Sequence, residues 1–210
     1  MKKLLALSAV WLAALSFPAA ADFIEGVEYQ RLTHPQQTET GAKVEVREFF
    51  WYGCPHCYVL EPYLEKWHKT MPKNAAFVRT PGVFNERWAV HARAYYAFEA
   101  LGLTGKLHGK LFDAIHTKKQ HLDDPQLLAD FVRDNGGDRK AFLDAYNSFG
   151  VQTSVGRATR LAQAIQLQSV PTLIVDGKYT TNANIAGGYD KVPVVLDHLV
   201  KLAAAERAKK

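Results

Sequence analysis

The chain has 210 residues, 48% apolar and 22% charged, the balance of an ordinary globular protein rather than a disordered or membrane-embedded one. Lys and Arg number 26 against 21 Asp and Glu, with no basic run in the middle of the chain, so charge gives no argument for nucleic acid. The only two cysteines, Cys54 and Cys57, exclude a disulfide-stapled scaffold, a four-cysteine zinc site and an iron–sulfur cluster.

At the amino terminus, Lys2 and Lys3 precede an apolar stretch from Leu4 to Phe17, followed by Pro18, Ala19, Ala20 and Ala21 before the polar Asp22. That order predicts a secretory signal peptide over 1–21, cleaved after Ala21. The apolar run is shorter than the roughly 20 residues a spanning helix needs, and no cysteine near the junction offers a lipid anchor. Cleavage leaves 189 residues at a net charge of +3, enough for one domain or one domain with an insertion.

Lys43 to Tyr52, with β-branched and aromatic residues among charges, predicts a strand that Gly53 ends. Pro55 has the fixed φ of a first helical position, and Leu60, Tyr63, Leu64 and Trp67 recur at helical spacing toward Pro72, so a helix begins beside Cys54. A second strand, Ala75 to Arg79, stops at Pro81-Gly82. Beyond Phe84 the texture becomes helical. Trp88, Tyr95, Phe98 and Leu101 form one stripe closed by Gly102, and Leu107, Leu111, Phe112 and Ile115 form another. Asp124-Pro125 starts a helix bearing Leu127, Leu128, Phe131 and Val132, which Gly136-Gly137 ends. Phe142, Tyr146 and Phe149 follow as expected core, then a helix from Ser154 to Ile165 with Val155, Leu161 and Ile165 on one side. Strand character returns over Thr172–Val175 and Tyr179–Thr181 across the hairpin signal Asp176-Gly177. After Gly187-Gly188 comes an amphipathic helix with Val194, Val195, Leu199 and Leu202, and a charged Lys209-Lys210 end expected to fray.

Cys54-Pro55-His56-Cys57 stands where a strand turns into a helix, in a chain addressed to a compartment where disulfides form. As a purely structural staple it would contribute only about 2 kcal/mol, because the loop it closes is so short. Zinc would need ligands beyond one CxxC, and c-type haem needs a histidine where Tyr58 stands. A reactive pair remains. Unpaired N–H groups of the first helical turn stabilise a thiolate at Cys54, and His56 adds a hydrogen bond or positive charge. Stabilising the thiolate stabilises the reduced form, which makes the disulfide a stronger oxidant. Cys54 is then expected to be the exposed sulfur attacked by a substrate thiolate, with Cys57 one turn deeper as resolving partner. Glu48 shares a strand face with Val46 and Phe50; if that face is the inner one its carboxylate lies near Cys57, where burial would raise its pKa, and otherwise it is a solvated edge charge.

The run Glu48-Phe49-Phe50-Trp51-Tyr52-Gly53-Cys54-Pro55-His56-Cys57-Tyr58, with Val170-Pro171-Thr172 and Asp176-Gly177-Lys178-Tyr179, resembles the DsbA-type periplasmic thiol:disulfide oxidoreductases of the thioredoxin superfamily. The resemblance spans essentially the whole mature chain. It implies an α/β, thioredoxin-like fold (22–83 and 158–210) interrupted by an inserted α-helical domain (84–157). It implies that Pro171, after Val170, is a cis-proline whose loop lies against the cysteines and holds substrate by backbone contacts, and that Glu48 is the acidic residue under the active site. It also implies a periplasmic monomer that needs no cofactor or metal, unfolded or partly folded exported proteins with free cysteines as clients, and a quinone-coupled membrane oxidase of DsbB type to reoxidise it. Two other readings stand beside it. An isomerase would need a dimerisation segment, for which about 22 residues from Asp22 to Lys43 are too few, and a reductase would need a partner keeping the pair reduced. A binding module with an inert disulfide would bury Cys54 with an ordinary pKa.

Overall fold

The computed structural model describes residues 23–209, so the expected signal peptide and Lys210 lie outside the described residues. The strands are β1 (Gln30–Arg31), β2 (Val44–Phe50), β3 (Ala75–Pro81), β4 (Thr172–Val175) and β5 (Tyr179–Thr181). They form one sheet in the order β1-β5-β4-β2-β3, with β2 and β3 parallel and the other neighbours antiparallel. The helices are α1 (Pro55–Thr70), α2 (Glu86–Ala100), α3 (Thr104–His116), α4 (Pro125–Asp134), α5 (Arg139–Tyr146), α6 (Phe149–Ala164), α7 (Ala183–Ala186) and α8 (Val192–Arg207). This is the thioredoxin-like α/β fold with helices inserted between β3 and β4. Among the described residues no helix is long and apolar enough to cross a membrane.

Strand β2, paired on both sides, is buried along its whole length, because helices cover both faces of the sheet. Its alternation feeds two cores. Val44 and Val46, with Leu173 and Val175 of β4, pack on Leu60, Leu64 and Trp67 of α1 and Val195, Leu196 and Leu199 of α8. Phe49 and Ile174 point the other way, into the core built by α2 to α6 around Phe98, Leu111, Phe112, Val132 and Phe142. The two strand–helix–strand connections therefore bring the carboxyl end of β2, the start of α1 and the loop before β4 together at one edge of the sheet.

Side-chain caps set most helix starts. Asn85, Asp124, Asp138 and Ser148 accept N–H bonds from the first turns of α2, α4, α5 and α6. The Ser148 cap corrects the expected start at Ser154: α6 opens at Phe149, which then sits at the first helical position and is 84% exposed rather than part of the core. The buried face of α8 is Val192, Val195, Leu196, Leu199, Val200 and Ala203, so Val194 is exposed, not core. Two elements carried no expectation: β1 is a two-residue edge strand, and α7 is a single turn between β5 and α8. The Asp176-Gly177 turn is as expected, both residues having positive φ (54° and 64°) as a two-residue hairpin of this twist requires.

Candidate active site

Cys54 is the N-cap of α1. Its extended backbone (φ −87°, ψ 115°) leaves its side chain free to accept from the Cys57 N–H at 3.4 Å, where helices ordinarily place Ser or Asp oxygen. Pro55 at the first helical position loses no hydrogen bond there. Both cysteines are free thiols, so the structure is the dithiol form. The Cys57 thiol donates to the Cys54 sulfur, and this bond, with the N–H groups of Cys57 and His56 and the positive charge of His56, outweighs burial and lowers the Cys54 pKa to about 6. Burial first, then the adjacent Cys54 and Glu48, pushes the Cys57 thiol well up. One sulfur is thus poised as thiolate and the other as thiol. Cys54 is not the openly exposed sulfur expected from sequence: it is 6% exposed, because the Val170 loop covers it, while Cys57 is fully buried. The sulfur that retains access is nevertheless Cys54.

That covering loop holds the Val170–Pro171 peptide, which is cis, and the Val170 carbonyl oxygen accepts from the Cys54 thiol at 3.4 Å. His56 is exposed, and its Nδ1 lies 2.8 Å from the Tyr189 hydroxyl. His56, Val170, Pro171 and Tyr189 line one small cavity beside the cysteines. The structure therefore gathers Cys54, Cys57 and His56 of the motif with Val170 and Pro171, which only the family resemblance had placed beside them, at one point.

Glu48 is buried on β2 beneath the pair. Burial first, then the neighbouring Glu61 carboxylate, raises its pKa to about 8, against the pull of Arg79. Arg79 stands opposite Glu48 in the β2–β3 register, with Nε 3.4 Å from Glu48 Oε2 and Nη2 donating to Glu61 at 2.8 Å and Glu65 at 2.7 Å. His108 of α3, pushed down by burial, places Nε2 3.3 Å from Glu61, and its Nδ1 is 2.8 Å from the Tyr52 hydroxyl. Burial opposes ionisation of Glu61, but His108 and Arg79 overcome it and hold that carboxyl below its usual range. The result is a buried polar string, Tyr52–His108–Glu61–Arg79–Glu48, with Glu65 at its solvent end. Sequence reasoning missed every member except Glu48. Glu61 had one legible signal: it falls four residues after Cys57 on the buried side of α1, where an apolar residue would be expected.

An aromatic platform borders the other side of the motif. Trp51 stacks on Trp88 with centroids 4.3 Å apart, and Phe84, 47% exposed, leans on Trp88. A side chain at Gly53 would run into the Trp51 ring, its Cβ 2.3 Å from the nearest atom, so glycine there is required by close approach.

A DSBA-like thioredoxin domain model matches residues 45–200. Thiol:disulfide interchange protein DsbA of Burkholderia cepacia is 42% identical over 205 residues, covering 96% of this chain and 97% of its own. The Pseudomonas aeruginosa protein of the same name is 37% identical over 190 residues, covering 90% of each. A crystal structure of Pseudomonas aeruginosa DsbA superposes with a TM-score of 0.85 at 38% identity, over 91% of this chain and 99% of that one. The oxidoreductase NmDsbA1 of Neisseria meningitidis gives 0.77 at 28% identity, over 89% and 96%. A dithiol capping the first helix beside a cis-proline loop, in a chain with these relatives, makes the protein a member of the DSBA-like thioredoxin domain family.

Proposed function

We propose that the protein is a thiol:disulfide oxidoreductase that introduces disulfide bonds into exported proteins. The observation that carries this reading is the Cys54 sulfur, capping α1 under the N–H groups of its first turn and next to the Val170 carbonyl. In the oxidised enzyme a client thiolate attacks Cys54 Sγ, the bond to Cys57 breaks, and a mixed disulfide forms. The leaving Cys57 thiolate takes a proton, which Glu48 holds at neutral pH because its carboxyl titrates near 8. A second client thiolate then attacks the client sulfur of the mixed disulfide and Cys54 leaves as thiolate. Two electrons have passed from client to enzyme; of the two client protons, one restores the Glu48 carboxyl that protonated Cys57 and the other is released.

In this reading Cys54, Cys57, His56 and Glu48 carry the chemistry, and Val170 and Pro171 hold the client backbone. The thioredoxin-like part comprises 22–83 and 158–210, the helical insertion 84–157, and residues 1–21 address the chain to the periplasm. Clients are unfolded or partly folded proteins with free cysteines, and a quinone-coupled membrane oxidase of DsbB type removes the two electrons. The inert-module alternative required a buried Cys54 with an ordinary pKa; burial is present, but the lowered pKa speaks against it.

Cys54→Ser should abolish oxidation of a reduced test protein, whereas Cys57→Ser should accumulate a mixed disulfide at Cys54, visible by mass spectrometry. A Cys57→Ser variant that forms no adduct would show that Cys54 is not the attacked sulfur.

A further inference from the structure

His56 is the one exposed side chain among the motif's polar groups, and an unrestrained surface imidazole samples several rotamers. Here its Nδ1 is 2.8 Å from the hydroxyl of a residue 133 positions away. The chain is built to deliver that hydroxyl. Asn182 caps α7 by accepting from the N–H groups of Asn184 and Ile185, and Gly187 and Gly188 follow with φ of 87° and 143°. The Gly188 N–H donates back to the Ala183 carbonyl at 2.8 Å. Two consecutive positive φ values reverse the backbone so that Tyr189 faces the start of α1, a path that only glycine follows without strain. Tyr189 then lines an open cavity of about 160 Å³ with His56, Val170 and Pro171.

We propose that Tyr189 is a positioning residue for disulfide interchange: its hydroxyl holds the His56 ring beside Cys54, and so helps set how strongly the disulfide oxidises. The inference rests on the dithiol-oxidase reading above. A hydroxyl suits both states of its partner. It accepts from Nδ1–H when the ring is imidazolium and donates to Nδ1 when that nitrogen carries a lone pair, so the ring need not move through the cycle. The charge of His56 favours the Cys54 thiolate, an effect that weakens with distance once the ring can swing into solvent. With glutathione as reductant, two thiols join as glutathione disulfide and two electrons enter the protein pair; one proton stays on Cys57 and one is released, because Cys54 remains thiolate. Losing the Tyr189 hydroxyl weakens that thiolate and draws the equilibrium back toward the protein disulfide.

Tyr189→Phe keeps the ring and removes only the hydroxyl. The equilibrium constant with glutathione and the thiolate absorbance of Cys54 against pH are measured for the wild type, Tyr189→Phe, His56→Leu and the double variant. Tyr189→Phe should lower the equilibrium constant about two- to fivefold, within what one hydrogen bond supplies, and raise the Cys54 transition, while adding nothing in the His56→Leu background. An unchanged constant and transition, or an equal loss in the His56→Leu background, overturns the proposal. Nitrogen NMR of the unaltered reduced protein gives a test that needs no variant: His56 Nδ1 should be hydrogen-bonded, and a solvent-averaged ring overturns it. A wild type that fails to oxidise glutathione removes the oxidase reading and this inference together; a normal wild type with an indifferent Tyr189→Phe removes only the inference.

Discussion

Glu48 illustrates how one residue's position on a strand becomes a pH-dependent cost. Its carboxyl ordinarily titrates at 4.5, and burial beside Glu61 raises it to about 8. A carboxyl raised in the folded state costs nothing below its unfolded pKa, and folding loses stability as pH climbs through the window from 4.5 to 8. Glu48→Gln, which keeps the shape and removes the charge, should therefore be nearly neutral at pH 4 and more stable than the wild type by about 2–4 kcal/mol at pH 8. Denaturant unfolding of the oxidised protein at the two pH values checks this; parallel stability curves for the two proteins would mean that Glu48 ionises freely. The local motif was legible residue by residue, since Cys-Pro-His-Cys needs no tertiary information to place a thiolate at a helix start. Arg79 and Tyr189 were not. Arg79 matters only through its pairing opposite Glu48, a register no local pattern declares, and Tyr189 reaches His56 from 133 residues away.

Among the elements, α1 runs against a local rule. Pro62 lies inside it and removes one N–H from the ladder, yet the helix continues to Thr70. Burial of Leu60, Leu64 and Trp67 on either side, each 0–4% exposed, outweighs that loss and keeps the active-site helix seated on the sheet. Propensity alone would end the helix there, while the apolar spacing carried it through to Pro72. The hairpin was readable for the opposite reason, because its turn chemistry is local. Gly177 combines φ 64° with a Cβ position only 2.0 Å from the Gln36 carbonyl oxygen, so neither conformation nor space admits a side chain. Gly177→Ala should cost about 2 kcal/mol or more in thermal or denaturant unfolding, with the strain placed at β4–β5. An unperturbed variant would show that the segment before β2 yields easily. By contrast, β1 and α7 left no trace in the pattern, since two residues of strand and one turn of helix are too short to establish a period.

At the scale of the molecule, the fold brings three distant segments to one edge: the end of β2 with the start of α1, the Val170–Pro171 loop, and the turn after α7. The succession of elements and the return to sheet at Thr172 followed from alternation of texture along the chain, whereas the buried string from Tyr52 to Glu48 joins α3, α1, β3 and β2 and is complete only when α3 packs against α1. The difference between the two sulfurs is set closer in: the Cys57 thiol, the first-turn N–H groups and His56 lower Cys54, while burial raises Cys57. Because a stabilised Cys54 thiolate belongs to the reduced form alone, the fold as a whole should favour holding two electrons. Equilibrating the wild-type pair with reduced and oxidised glutathione tests this most directly: the protein disulfide should oxidise millimolar glutathione and stand mostly reduced at equilibrium, and a pair that remains mostly oxidised under those conditions would contradict the account.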